Sequence, residues 1–163
     1  MKTKLFTGLT GALLAALLVF AADAPAQTVA VSDKVGDAPS KSLDIKSAKA
    51  TKTDDEVTFT IVLAGKPSPH KLPVIDLDSD NNRDADWYLG HSADGTFSAI
   101  FDYDDPARRI APATATVEGT TVTYTLKVQR IRNAHWRAAT YGRGIAPGST
   151  DQIPNVNYLR MPV

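Results

Sequence analysis

Val74-Ile75-Asp76-Leu77-Asp78-Ser79-Asp80-Asn81-Asn82-Arg83-Asp84-Ala85-Asp86-Trp87 runs from an apolar segment straight into alternating aspartates interrupted by two asparagines. Carboxylates this crowded repel one another unless a cation sits among them. Calcium is the expected ion, because it takes about 6–8 hard oxygen ligands and a turning loop brings the side chains of alternate positions to one focus. Asp76, Asp78, Asp80, Asn82 and Asp84 match the first, third, fifth, seventh and ninth positions of an EF-hand loop, and Asp86 follows them. The sixth position is Asn81 in place of glycine, and the twelfth is Trp87 in place of the bidentate glutamate. The flanks decide the fold. An EF-hand needs amphipathic helices on both sides, whereas Lys71 to Leu77 contains Pro73 and is rich in β-formers. The stretch therefore reads as a calcium loop hung on a β-strand. A solvated acidic turn is the plainer alternative, since Asp and Asn are also common turn residues.

Working outward, the neighbouring segments carry the same β signature. Val57, Phe59, Ile61 and Leu63 alternate with more polar positions, as do Val122, Tyr124, Leu126 and Val128 with Thr123, Thr125 and Lys127. Further strands are expected over Thr28–Ser32, Asp44–Thr51, Asp86–His91, Thr96–Tyr103, Ala113–Val117 and His135–Tyr141, with a short closing segment near Val156–Met161. Ala93-Asp94-Gly95 and Glu118-Gly119 are hairpin signals, and Gly142 to Pro154 reads as loop. Short strands separated by turn chemistry, with no helical period, predict an all-β fold, an antiparallel β-sandwich of jelly-roll or immunoglobulin-like type.

The first 26 residues stand apart. Lys2 and Lys4, an apolar run from Leu13 to Ala22 and the small-x-small site Ala24-Pro25-Ala26 form the pattern of a cleaved signal peptide, so residues 27–163 constitute a single secreted or periplasmic domain. The apolar run is too short, and too soon followed by polar residues, to remain as a membrane span. No cysteine occurs, which excludes a disulfide framework and leaves a metal as the available staple. Eighteen basic residues balance 18 acidic ones, and loss of Lys2, Lys4 and Asp23 leaves one acid in excess, so nothing favours nucleic acid. The acids are nearly all aspartate, the residue of turns and calcium loops rather than of helices.

Asp33-x-x-Gly36-Asp37, then Asp44-Ile45, a Thr- and Val-rich strand, Ile75 to Asn82, and finally Asp151-x-x-Pro154-Asn155 follow one another across the mature chain. In this order and spacing the chain resembles the bacterial extracellular β-sandwich domains of the family-nine carbohydrate-binding and DOMON-like group. The resemblance implies structural calcium held by the early Gly-Asp loop and by the acidic loop, and sugar as a ligand class. It adds Asp33, Asp37 and Asp44 to the metal candidates.

Sugar sites commonly offer aromatic faces for stacking, and Trp87 and Trp136 are the candidates, though a tryptophan in a small β-domain is more often core. No nucleophile elbow, helix-borne zinc pair or catalytic carboxylate pair is evident, and His70, His91 and His135 stand alone. A haem role would need axial ligands, and Met161 is the only methionine past the leader, in an expected tail. Lys127, Arg130, Arg132, Arg137 and Arg143 make the last third basic, which suits either an anionic polysaccharide or lipid headgroup, or a solvated face. The expectation is an exported, non-catalytic binding module with a structural Ca²⁺ and a polysaccharide or cell-surface glycan as partner. A calcium-dependent protein–protein or surface-assembly domain is the rival, and a polysaccharide hydrolase is a third reading.

Overall fold

The computed structural model describes residues 26–68, 72–91, 97–127, 129, 131, 133–141, 151–154 and 158–162. The leader, the Ala93-Asp94-Gly95 hairpin, His70, Asn155, Arg130, Arg132, Arg143 and most of the Gly142–Pro154 loop lie outside them. The described residues are all-β and contain no α-helix. In chain order the strands are β1 (Gln27–Ser32), β2 (Ile45–Lys52), β3 (Glu56–Leu63), β4 (Val74–Asp78), β5 (Trp87–His91), β6 (Ser98–Asp102), β7 (Arg109–Glu118), β8 (Thr121–Lys127), β9 (His135–Thr140), β10 (Asp151–Ile153) and β11 (Leu159–Arg160).

The clearest alternation becomes the clearest pair. β3 and β8 lie antiparallel with Val57 opposite Leu126, Phe59 opposite Tyr124 and Ile61 opposite Val122, so each strand's apolar set meets the other's on one buried face. β2 joins the same face through Ile45, Ala48 and Ala50, although Ile45 and Ala48 differ in parity. A register shift between Ile45 and Ser47 corrects the phase, as a bulge does by inserting one residue on one strand. β7 turns tightly into β8 at Gly119, whose φ of 60° is the left-handed geometry that hairpin turns require.

All strands belong to one sheet, in the order β1-β2-β3-β8-β7-β6-β5-β4-β9-β10, with β11 beside β9. β7 makes the corner. Its first part pairs with β6 and its second with β8, and Pro112, which cannot donate to a ladder, sits in the first part before the change of partner. The ends of the sheet then approach one another, so that it is nearly closed like a barrel. Two buried side chains bridge that seam: Ile45 N–H donates to Asp151 Oδ2 at 2.6 Å, and Thr140 Oγ1 donates to the Leu43 carbonyl at 2.6 Å.

Three sequence expectations change. Asp151–Ile153 is a strand within the segment expected to be loop, and β7 begins at Arg109 rather than Ala113. Met161 is buried against the core instead of trailing in solvent. β4, β5 and β6 are covered on both faces, which is why Val74–Leu77 reads as a continuous apolar run broken by Asp76. Their inner face (Ile75, Leu77, Leu89, Ile100) joins the main core, and their outer face (Val74, Tyr88, Ala99, Phe101) forms a second cluster with Ala139.

Phe59 is fully buried and meets the fully buried Trp136 edge-on, ring centroids 5.5 Å apart. Phe59→Ala is expected to lower the free energy of unfolding by about 3–5 kcal/mol. Urea denaturation of the mature domain measures it.

Candidate metal centres and a buried aspartate

The β4–β5 loop brings Asp78, Asp80 and Asp86 together, with one carboxylate oxygen from each within 4.8 Å of the others. Backbone donors shape the approach. Asp78 Oδ1 accepts from Asn81 N at 2.6 Å and its Oδ2 from Arg83 N at 2.9 Å, while Asp86 Oδ2 accepts from the Ser79 amide at 2.8 Å and hydroxyl at 2.7 Å. Asn81 adopts φ 64°, so at the sixth loop position asparagine supplies the left-handed turn usually made by glycine. Arg83 shares that region at φ 77°, an unfavourable backbone state for a long side chain. Among the described residues no lysine or arginine side chain pairs with Asp78, Asp80 or Asp86. Asp84 is not in the group of three; Asn82 Oδ1 accepts from Asp84 N at 2.7 Å in a local turn.

A second centre gathers residues far apart in sequence. Asp33, Asp37 and Asp151 also place carboxylate oxygens within 4.8 Å of one another. Asp44, 2 % exposed, lies beside them, its Oδ2 accepting from Gly36 N at 2.7 Å between Asp33 and Asp37. Asp44 Oδ1 and Asp33 Oδ2 are buried without a hydrogen-bond partner among the described residues. Buried carboxylate oxygens left bare are costly, and a hard cation is the partner that suits several at once. Burial pushes the Asp151 carboxyl above its ordinary range, and repulsion from Asp37 and Asp33 adds to the rise while the Ile45 amide opposes it. The sequence offered Asp151 only within the stretch that carries the resemblance, because its closeness to Asp33 and Asp37 comes from the sheet closing on itself. The two centres lie toward opposite ends of the fold: Asp78 is opposite His135 on β9 and Asp151 opposite Thr140, about 17 Å further along that strand.

Asp76, expected as the first loop ligand, is placed elsewhere. Its fully buried carboxylate accepts from Arg137 Nε at 3.0 Å and from the Tyr141 hydroxyl at 3.0 Å on both oxygens. Tyr141 in turn meets the Tyr103 hydroxyl at 3.3 Å. Desolvation raises the Asp76 carboxyl from its ordinary value, against the pull of Arg137 and the hydrogen bonds. The aromatic candidates are also displaced. Trp136 is fully buried with no face for a sugar, its position opposite Leu77 and Leu159 fixing it in the core, and Trp87 is half-buried against that same core.

His91 is not a free surface residue. Its Nδ1 lies 2.6 Å from Ser98 Oγ, and burial lowers its pKa. It borders a cleft of about 610 Å³ together with Ser42, Lys66, Pro67, Leu72 and Val117, whereas Ser98 does not line the cleft. Comparison with protein-family models, curated proteins and solved structures finds no match.

Tyr141→Phe leaves the Asp76 carboxylate one donor short inside the fold and is expected to cost about 1–3 kcal/mol at neutral pH. Because the folded pKa of Asp76 is raised, ionising it weakens the native state, and that penalty disappears as pH falls through the elevated pKa toward the ordinary carboxylate range. The stability gap between wild type and Tyr141→Phe, measured by urea denaturation at neutral and acid pH, should narrow on acidification.

Proposed function

We propose that the protein is an exported, non-catalytic binding module whose acidic loops close around calcium, with a glycan as its ligand class. The observation that carries the calcium reading is the convergence of Asp78, Asp80 and Asp86 within 4.8 Å, with no cationic side chain of the described residues to neutralise them. The buried, unpartnered oxygens of Asp44 and Asp33 support a second ion beside Asp37 and Asp151. The fold fits this role when the curled sheet is taken as a sandwich bent at β7, since rigid strands then hold loops whose closure depends on metal. The carbohydrate ligand rests on the family resemblance, and secretion or periplasmic residence on the leader pattern. Calcium keeps its carboxylate ligands ionised, which removes them from acid catalysis and argues against the hydrolase reading.

The edge favours one rival. Among the described residues β1 ends the strand order with a single neighbour, and such an edge can pair with another chain, as a calcium-dependent assembly domain would use it. Sedimentation with and without calcium separates the two readings: a monomer in both conditions favours the binding module.

The mature, chelator-stripped protein should melt several degrees higher in millimolar calcium than in buffer or magnesium, since an ion at about 100 times its Kd adds roughly 2.7 kcal/mol. Asp78→Asn with Asp80→Asn is expected to remove one part of that rise, and Asp37→Asn a separate part. An unshifted melt in calcium would make both clusters solvated turns.

A further inference from the structure

β9, β11 and the residue before β11 carry, on the face opposite the core, a set of partly exposed cationic and aromatic side chains that the calcium centres do not use. Trp136 and Leu159 pair across these strands and pack inward. By alternation His135, Arg137, Tyr158 and Arg160 point the other way, toward the face that carries Asp76 and Asp78. The Tyr158 ring lies under the Arg137 guanidinium, 4.6 Å from its carbon.

Arg137 is held at one end only. Nε donates to Asp76, which is 0 % exposed, while the arginine side chain is 24 % exposed and its Nη1 and Nη2 meet no acceptor among the described residues. The Tyr158 hydroxyl beside it is buried and has no hydrogen-bond partner among the described residues. A buried carboxylate is a poor way to stabilise a β-sheet, because an apolar residue of similar size does as well or better. Here the carboxylate, the Tyr141 hydroxyl and the Tyr158 ring fix the orientation of a planar fork on a partly exposed side chain whose two outer amino groups are left without an acceptor among the described residues. Such a fork matches a carboxylate through two parallel charge-assisted hydrogen bonds. Arg160, exposed and opposite His135, extends the positive character along the strand.

We infer that Arg137, propped by Asp76 and backed by Tyr158, is the primary contact for the carboxylate of an acidic polysaccharide, with Arg160 as a second, peripheral contact. The inference rests on the glycan-binding reading and names its ligand class as uronate rather than neutral sugar. A neutral diol would gain only the weaker, uncharged bonds at the same fork. The acidic loop ending β4 borders this face, so bare carboxylates there oppose an anion and calcium in the loop removes the opposition.

The test is calorimetric titration of the mature protein in millimolar calcium with trigalacturonate and triguluronate, with cellotriose as the neutral control. One of the uronates should bind and cellotriose should not. Arg137→Lys, which keeps the charge and loses the fork, should weaken uronate binding roughly tenfold or more while leaving the calcium-induced rise in melting temperature intact. Arg160→Gln, on an exposed side chain that leaves the fold undisturbed, should weaken it by about threefold and flatten its salt dependence. Removing calcium should weaken uronate binding in the wild type.

Uronate binding that survives both substitutions overturns the site but leaves the glycan-binding reading standing. Binding of cellotriose in preference overturns the ligand class alone. Binding of phosphatidylglycerol vesicles through Arg137 without uronate binding would make the face a lipid-headgroup site and overturn the inference. Silence toward every saccharide overturns both the inference and the glycan reading, while the calcium melt separately decides the metal centres.

Discussion

Repulsion among aspartates is the constraint around which this molecule is arranged. Three carboxylates meet in the β4–β5 loop and three more where the β1–β2 connection meets β10. Backbone amides take some of the charge at each point, yet oxygens of Asp33 and Asp44 remain buried and bare. Asp151 ties the problem to the fold itself. One of its oxygens accepts the Ile45 amide and so helps close the sheet, while its carboxylate stands among Asp33 and Asp37. A cation there would therefore support the seam as well as the loop, and its absence would load the seam with uncompensated charge.

The carboxylate at Asp76 answers the same problem by another route. Burial alone would expel its charge, and Arg137 with Tyr141 supplies the compensation from within the chain. The neighbouring positions Asp76 and Asp78 thus share a strand face and an acidic motif but serve different ends: one orients a guanidinium, the other faces its loop partners Asp80 and Asp86.

Much of the fold was legible because half-buried strands write their environment as alternation. Val57 to Leu63 and Val122 to Leu126 are inward by parity, and both become core. The reading failed where both faces are covered. In β6 Ala99 and Phe101 lie in the second cluster while Ile100 lies in the main core, so neighbouring apolar residues of opposite parity are both buried. Asp151–Ile153 was hidden because three residues between Gly- and Pro-rich stretches carry too little pattern to signal a strand. Spacing marked the acidic stretch and the departure at Asn81, but it could not distinguish Asp76 from Asp78, since only the β4–β9 register places Arg137 opposite the first. Trp136 failed as a platform for the same reason: its inward direction is set by pairing with Leu77, a contact across strands distant in sequence.

Counting calcium ions addresses the central claim most directly. Equilibrium titration of the chelator-stripped mature protein with calcium, read calorimetrically, should reveal two ions per chain, one lost in Asp78→Asn with Asp80→Asn and the other in Asp37→Asn. A folded wild-type protein that binds no calcium would contradict the account, because its two aspartate clusters would then persist without the cation proposed to hold them.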